Sequence, residues 1–147
     1  MSASPGSPAG GGPAAAYTIM RGAEAPDYTG DAPGAFLGYG RPMGSSQLGF
    51  NVRVLAPHTT HKPPGEADSL GHSHRTIEEI YFVLEGEVAV KLGDDVVTLG
   101  PRDAVLIPAG TPRSVRNDGE AEAAFVMCSV RTEDPRAESV RHEDFWC

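Results

Sequence analysis

Two histidines and a glutamate carry the strongest chemical signal in this 147-residue chain: His72-Ser73-His74, then Glu79 after four further residues. On an extended segment, side chains at i and i+2 point the same way, so both imidazoles can reach one centre. Glu79 opens the run Glu79-Ile80-Tyr81-Phe82-Val83-Leu84. Alternation puts Glu79, Tyr81 and Val83 on one face and Ile80, Phe82 and Leu84 on the other. Both faces are apolar, which predicts a strand buried on both sides. A carboxylate in that setting needs a cation, strong donors or a proton. Two imidazoles and one carboxylate form the facial triad of non-haem Fe(II), and the same set suits Mn, Ni or Zn. His72, His74 and Glu79 are therefore the expected metal ligands. Tyr81 shares the Glu79 face and is expected either to line the pocket or to pack in the core.

The elements that must position these groups read as short strands. Gly (18) and Pro (13) make up about a fifth of the chain, which argues against long helices and for many turns. Strands are predicted at Leu48–Leu55, within Glu79–Leu92, and at Val96–Leu99, Asp103–Ile107, Arg113–Arg116 and Ala123–Arg131. Gly93-Asp94-Asp95 and Asn117-Asp118-Gly119 are turn signals between them. Such a series predicts an all-β sandwich or barrel over residues 47–131. Residues 1–16 are Ser, Pro, Gly and Ala with a single Met and are expected to be a disordered tail. Residues 17–46 read as an arm with strand candidates at Tyr17–Met20 and Ala35–Tyr39. The polar tail 132–147 ends in Phe145-Trp146, expected to dock on the barrel. His58 and His61 lie in the Pro-rich loop 56–70. They are expected at the surface, with a fourth-ligand role as the alternative. His142 is given no role.

Composition excludes several classes of function. Twelve basic against twenty acidic residues give a net charge of −8, which repels phosphate backbones, so no nucleic-acid partner is expected. Apolar runs such as Ile80–Leu84 and Ala123–Cys128 are far too short to span a membrane. The first residues lack the basic region and apolar stretch of a secretion signal, so none is expected. Two cysteines, Cys128 and Cys147, cannot build a disulfide framework, which points to the cytoplasm, with Cys128 expected as inert core.

The spacing resembles the cupin superfamily. The first cupin motif is Gly, five residues, His-x-His, three or four residues, Glu, six residues, Gly. His72, His74, Glu79 and Gly86 match it, and Gly65 stands one residue further upstream than the leading Gly. The second motif is Gly, five residues, Pro-x-Gly, two residues, His, three residues, Asn. Pro108, Ala109, Gly110 and Asn117 match it, and Asp103 falls where the family usually places Asp. Arg102 occupies the turn-Gly slot, with Gly100 nearby, and Arg113 occupies the His slot. The resemblance implies a double-stranded β-helix, a jelly-roll-like antiparallel barrel with its site inside the mouth. It also implies a homodimer, in which the 17–46 arm could meet the partner; the Ile80, Phe82 and Leu84 face opposite Glu79 is expected to be covered either by the chain's own second sheet and arm or by that second chain.

Only three of the family's four metal ligands carry over, because arginine cannot ligate a metal and stays charged. About 5 Å from a dication, at an effective dielectric near 20, its repulsion is roughly 6–7 kcal/mol. Structural zinc binding can be worth ~10–16 kcal/mol. Three readings stay open. A metal sits on the triad and Arg113 anchors an anionic substrate; or Arg113 replaces the metal and pairs with Glu79 in a metal-free pocket; or the remnants are structural and the surface acts. The first predicts a small metal-dependent enzyme of dioxygenase, isomerase or lyase type. Its substrate would be a small, anionic organic molecule. Arg113 and Tyr81 would bind that substrate, and Glu79, Arg113 and Tyr81 are the catalytic candidates. The second predicts a non-catalytic module for a small anion.

Overall fold

The computed structural model describes residues 16–147, so the tail expected over 1–16 lies, apart from Ala16, outside the described residues. Eleven strands follow in order: β1 (Ala35–Gly38), β2 (Leu48–Leu55), β3 (Thr59–Thr60), β4 (Gly71–His74), β5 (Glu79–Glu85), β6 (Val88–Leu92), β7 (Asp95–Leu99), β8 (Ala104–Ile107), β9 (Arg113–Asn117), β10 (Ala123–Val130) and β11 (Ser139–His142). Besides a 3-10 turn at Gly22–Glu24, one short helix, α1 (Pro135–Glu138), starts on Asp134, whose side chain accepts from the Arg136 and Ala137 amides. Two antiparallel sheets result, one ordered β1-β2-β10-β5-β8 and the other β11-β4-β9-β6-β7, with β3 also pairing β9. This is an all-β fold consistent with a cupin double-stranded β-helix.

Leu55, Tyr81, Val83, Val90, Ile107, Val115 and Phe125 fill the space between the sheets. Alternation along β5 sends every second side chain into that core, which is why the Glu79 face of β5 turns inward. The outward face departs from expectation. Ile80, Phe82 and Leu84 are 43%, 36% and 47% exposed, so β5 is buried on one side only within the chain. Cys128 pairs with Ile80 and Phe50 across this outer face and is half-buried there rather than in the core. The apolar run at 79–92 also splits into two strands. Gly86 turns the chain at φ +71, where a Cβ would lie 2.7 Å from the Glu122 carbonyl oxygen.

The arm contributes one strand, β1, and Tyr17–Met20 forms none. The C-terminal tail docks as expected. Phe145 packs against Gly71, where a Cβ would sit 2.5 Å from the ring. Trp146 donates from Nε1 to Ser114 Oγ at 2.6 Å and carries the Arg116 guanidinium 3.9 Å over its ring. The tail also adds β11, which sequence patterning missed because Ser-Val-Arg-His carries a single apolar residue. Arg102 adopts φ +70, the left-handed turn conformation that glycine accepts most readily. Asp103 holds that turn by accepting the Gly100 amide at 2.8 Å. Asn117 is equally structural: it donates to the Leu55 and Ala121 carbonyls and accepts the Gly119 amide.

Candidate metal and ligand site

The site lies where β4, β5 and β9 meet. β4 is extended and pairs with β9 at His72 and Arg113, and the His74 carbonyl accepts the Gly110 amide at 2.7 Å. The turn before β9 is thereby tied to the histidine strand. Each second-strand position on β4 faces inward, and the imidazoles of His72 and His74 stand with ring centroids 5.0 Å apart. Ser73, on the other face, bonds His142 Nε2 at 2.9 Å, so His142 serves the tail's docking. Glu79 reaches in from the start of β5. One ligand atom from each of His72, His74 and Glu79 falls within 4.8 Å of the others. Two imidazoles and one carboxylate at that separation can hold a divalent ion.

Arg113 stands behind the carboxylate. It is fully buried, donates from Nη2 to Glu79 Oε1 at 3.2 Å and from Nη1 to the Thr111 carbonyl at 2.9 Å. His74 Nε2 lies 3.4 Å from the same Glu79 oxygen. One carboxylate oxygen is thus shared by two cationic or donor groups, and the geometry leaves Oε2 as the oxygen free of them. Burial pushes the Glu79 pKa up, but His74 and the Arg113 guanidinium outweigh it and hold the group below its ordinary range. Tyr81, 1% exposed, lies on the same inner face with its hydroxyl buried and unpartnered among the described residues. Burial, and then the Glu79 charge, push its phenol up.

The triad and Tyr81 border a cavity of about 530 Å³. His61, His72, His74, Glu79 and Tyr81 line it, and Arg113 does not. Two further arginines, Arg41 and Arg131, also line it. Neither is paired with a carboxylate among the described residues. Arg41 donates to the Thr132 carbonyl, and Arg131 donates to the Ser45 carbonyl while its Nε is buried without a partner. Sequence reading passed over both. Arg131 was legible only as the charge that ends the apolar run of β10.

The two loop histidines separate. His58 is exposed and pairs with Glu120 at 2.7 Å. His61 is half-buried: its amide donates to the Val115 carbonyl, and its ring packs edge-on against Phe125 at 5.7 Å. The loop expectation failed because β3 stitches this segment to β9. Burial first, then the nearby Arg53 and Arg113 charges, lower the His61 pKa from 6.5 to about 3. The sign follows from linkage. The unfolded ring binds a proton below 6.5 and the folded ring does not, so this contribution is full above 6.5 and is lost as pH falls toward 3. Between pH 7 and pH 5 the loss is about 2 kcal/mol. Urea unfolding of the wild type should show it, and His61→Gln should flatten the slope by that amount. An unchanged slope in the variant would contradict a buried neutral His61.

Residues 58–129 match the cupin domain family. An uncharacterised protein from Methanocaldococcus jannaschii is 33% identical over 66 residues, covering 45% of this chain and 53% of its own length, so the match spans about half of that relative. A sugar phosphate isomerase of the cupin superfamily from Silicibacter pomeroyi superposes with a TM-score of 0.61 at 22% identity, over 75% of this chain and 76% of that one. The polyketide cyclase RemF from Streptomyces resistomycificus gives 0.62 at 18% identity, over 80% and 88%. These two similarities are of fold, and the reactions of the two proteins differ. No described helix is long and apolar enough to cross a membrane.

Proposed function

We propose that this cupin-fold chain is a small cytoplasmic metal-dependent enzyme of dioxygenase, isomerase or lyase type acting on a small organic anion. The observation that carries the reading is the convergence of His72, His74 and Glu79 on the cavity wall, with one ligand atom from each within 4.8 Å. The three donors fit a divalent ion, Fe(II) first, with Mn, Ni or Zn suiting the same set. When bound, the ion would supply Lewis acidity or O2 activation. Arg113 then acts through Glu79. It holds the carboxylate by a hydrogen bond to Oε1, the kind of support that ligating carboxylates usually have. Its charge opposes the ion, and the Glu79 pair offsets part of that cost.

Support for an anionic substrate shifts from Arg113, which is buried away from the cavity, to Arg41 and Arg131, which line it. Two cavity-lining guanidiniums without carboxylate partners among the described residues suit a carboxylate or phosphate. Tyr81 supplies a hydroxyl that stays protonated. The test is turnover of a panel of small carboxylic and phosphorylated acids by Fe(II)- and Mn(II)-loaded protein. Turnover that disappears in Glu79→Gln supports the enzyme, and turnover that survives in that variant overturns it.

A specific observation favours a second reading. The 3.2 Å Arg113–Glu79 pair already neutralises the carboxylate, which a metal-free anion-binding module requires. The pair belongs to both readings, so metal content separates them.

The assembly proposed is a homodimer through the outer face of the β1-β2-β10-β5-β8 sheet. Leu106, Ile80, Cys128 and Phe50 lie in one cross-strand row there, with Phe82 in the next. An uncovered apolar face of this kind suits burial against a second copy of the chain. Sedimentation should give twice the 15.4 kDa chain mass, and Ile80→Asp should give the single-chain mass. A wild-type species of 15.4 kDa at micromolar concentration would rule the dimer out.

A further inference from the structure

Arg53 is a buried arginine that no part of the proposed site uses. It sits on β2, 5% exposed, opposite Phe36 and Phe125. Its Nη1 donates to the Ala35 and Val54 carbonyls at 2.9 and 2.8 Å, which fixes the guanidinium plane. Its Nε donates to His61 Nδ1 at 3.2 Å. Guanidinium has no acceptor, so the ring nitrogen facing it must carry the lone pair. A neutral imidazole with a lone pair on Nδ1 carries its proton on Nε2. No described residue accepts from that Nε2. The ring cannot swing away, because Phe36, Phe125 and the His61 amide bond hold it.

The consequence is chemical. An imidazole in this tautomer cannot offer Nε2 to a metal without losing a proton it has no acceptor for. His61 therefore stands 6.4 Å from the His72 ring, on the wall of the same cavity, as a donor rather than a fourth ligand. The geometry points to His61 as a fixed hydrogen-bond donor for the ligand: Arg53 sets its tautomer, and the Nε2–H receives a carboxylate, carbonyl or phosphate oxygen of the molecule bound beside His72. This rests on the reading of the cavity as the binding site. It adds the group that orients an oxygen there. An uncharged donor suits that position, since the neighbouring ligand set must also admit a cation.

Long-range nitrogen–proton NMR of the intact chain tests it. In the metal-free wild type, His61 should show a protonated Nε2 and an unprotonated Nδ1, and Arg53→Met should mix the two tautomers. Malonate and inorganic phosphate serve as probe anions. At least one should shift the His61 Nε2–H resonance, with His61→Leu weakening that binding by roughly tenfold, the worth of one hydrogen bond. His61→Gln, which keeps an N–H donor, should restore most of it. Zn(II) alone should perturb His72 and His74 nitrogens and leave the His61 Nε2 proton in place. An Nδ1–H tautomer, loss of the Nε2 proton on adding Zn(II), or a His61 resonance that neither anion moves would each overturn the assignment. Failure of Zn(II) to perturb His72 and His74 would instead count against the metal reading and leave the tautomer result decisive for His61.

Discussion

Arg113→Met is expected to lower unfolding free energy by about 3–5 kcal/mol, the usual cost of stranding one member of a buried ion pair. The Glu79 carboxylate would keep its burial and lose the guanidinium 3.2 Å away. It would answer by taking up a proton, so its pKa should rise from its depressed position. The double variant Arg113→Met with Glu79→Gln should recover most of the loss, because neither charge is then left alone. Chemical denaturation of the four proteins at pH 7 gives the coupling directly. Additive losses in the double variant would mean that the pair is incidental. The opposite single change, Glu79→Gln, leaves Arg113 fully buried with its Thr111 carbonyl contact and no counter-charge, and should cost a comparable amount.

Arg113→His should raise affinity for Zn(II) by at least 100-fold, about 2.8 kcal/mol. Two effects add. The substitution removes a fixed positive charge whose repulsion on a dication is roughly 6–7 kcal/mol at about 5 Å and an effective dielectric near 20. It also places an imidazole at the β9 position paired with His72, in reach of a three-His, one-Glu set. Destabilisation from the lost Arg113–Glu79 bond offsets part of the gain in the apoprotein and is repaired when the ion binds. Competition against a chelator measures the affinity. An unchanged or weaker affinity would show that Arg113 does not control the ion and that the three existing ligands already set it.

Much of this was legible in the residues because it depends on local periodicity. Alternation placed Glu79 and Tyr81 inward, and the His-x-His spacing put both imidazoles on one side of β4. The β2, β7, β8, β9 and β10 boundaries follow apolar alternation and turn residues, and they fall within one or two residues of the pattern. What the pattern missed depends on contacts between distant segments. His61 looked like a loop histidine because its two-residue strand has no period of its own. Its burial is decided by Val115, Phe125 and Arg53, which are remote in sequence. Arg113 could be read as facing inward, with Glu79 as one of two possible partners, but the choice between Glu79 and a bound anion could not. That choice rests on where Glu79 and the Thr111 carbonyl lie. Ile80, Phe82 and Leu84 looked doubly buried because apolar side chains cannot report whether their cover belongs to the same chain or to another.

The most direct measurement is the metal content of the wild type and Glu79→Gln, both purified without a histidine tag. About one divalent ion per wild-type chain is expected, and little in the variant, since removing one of three ligands leaves no facial triad. A wild-type protein without a metal, carrying an organic anion in the cavity instead, would contradict that expectation and assign the site to a metal-free binding module.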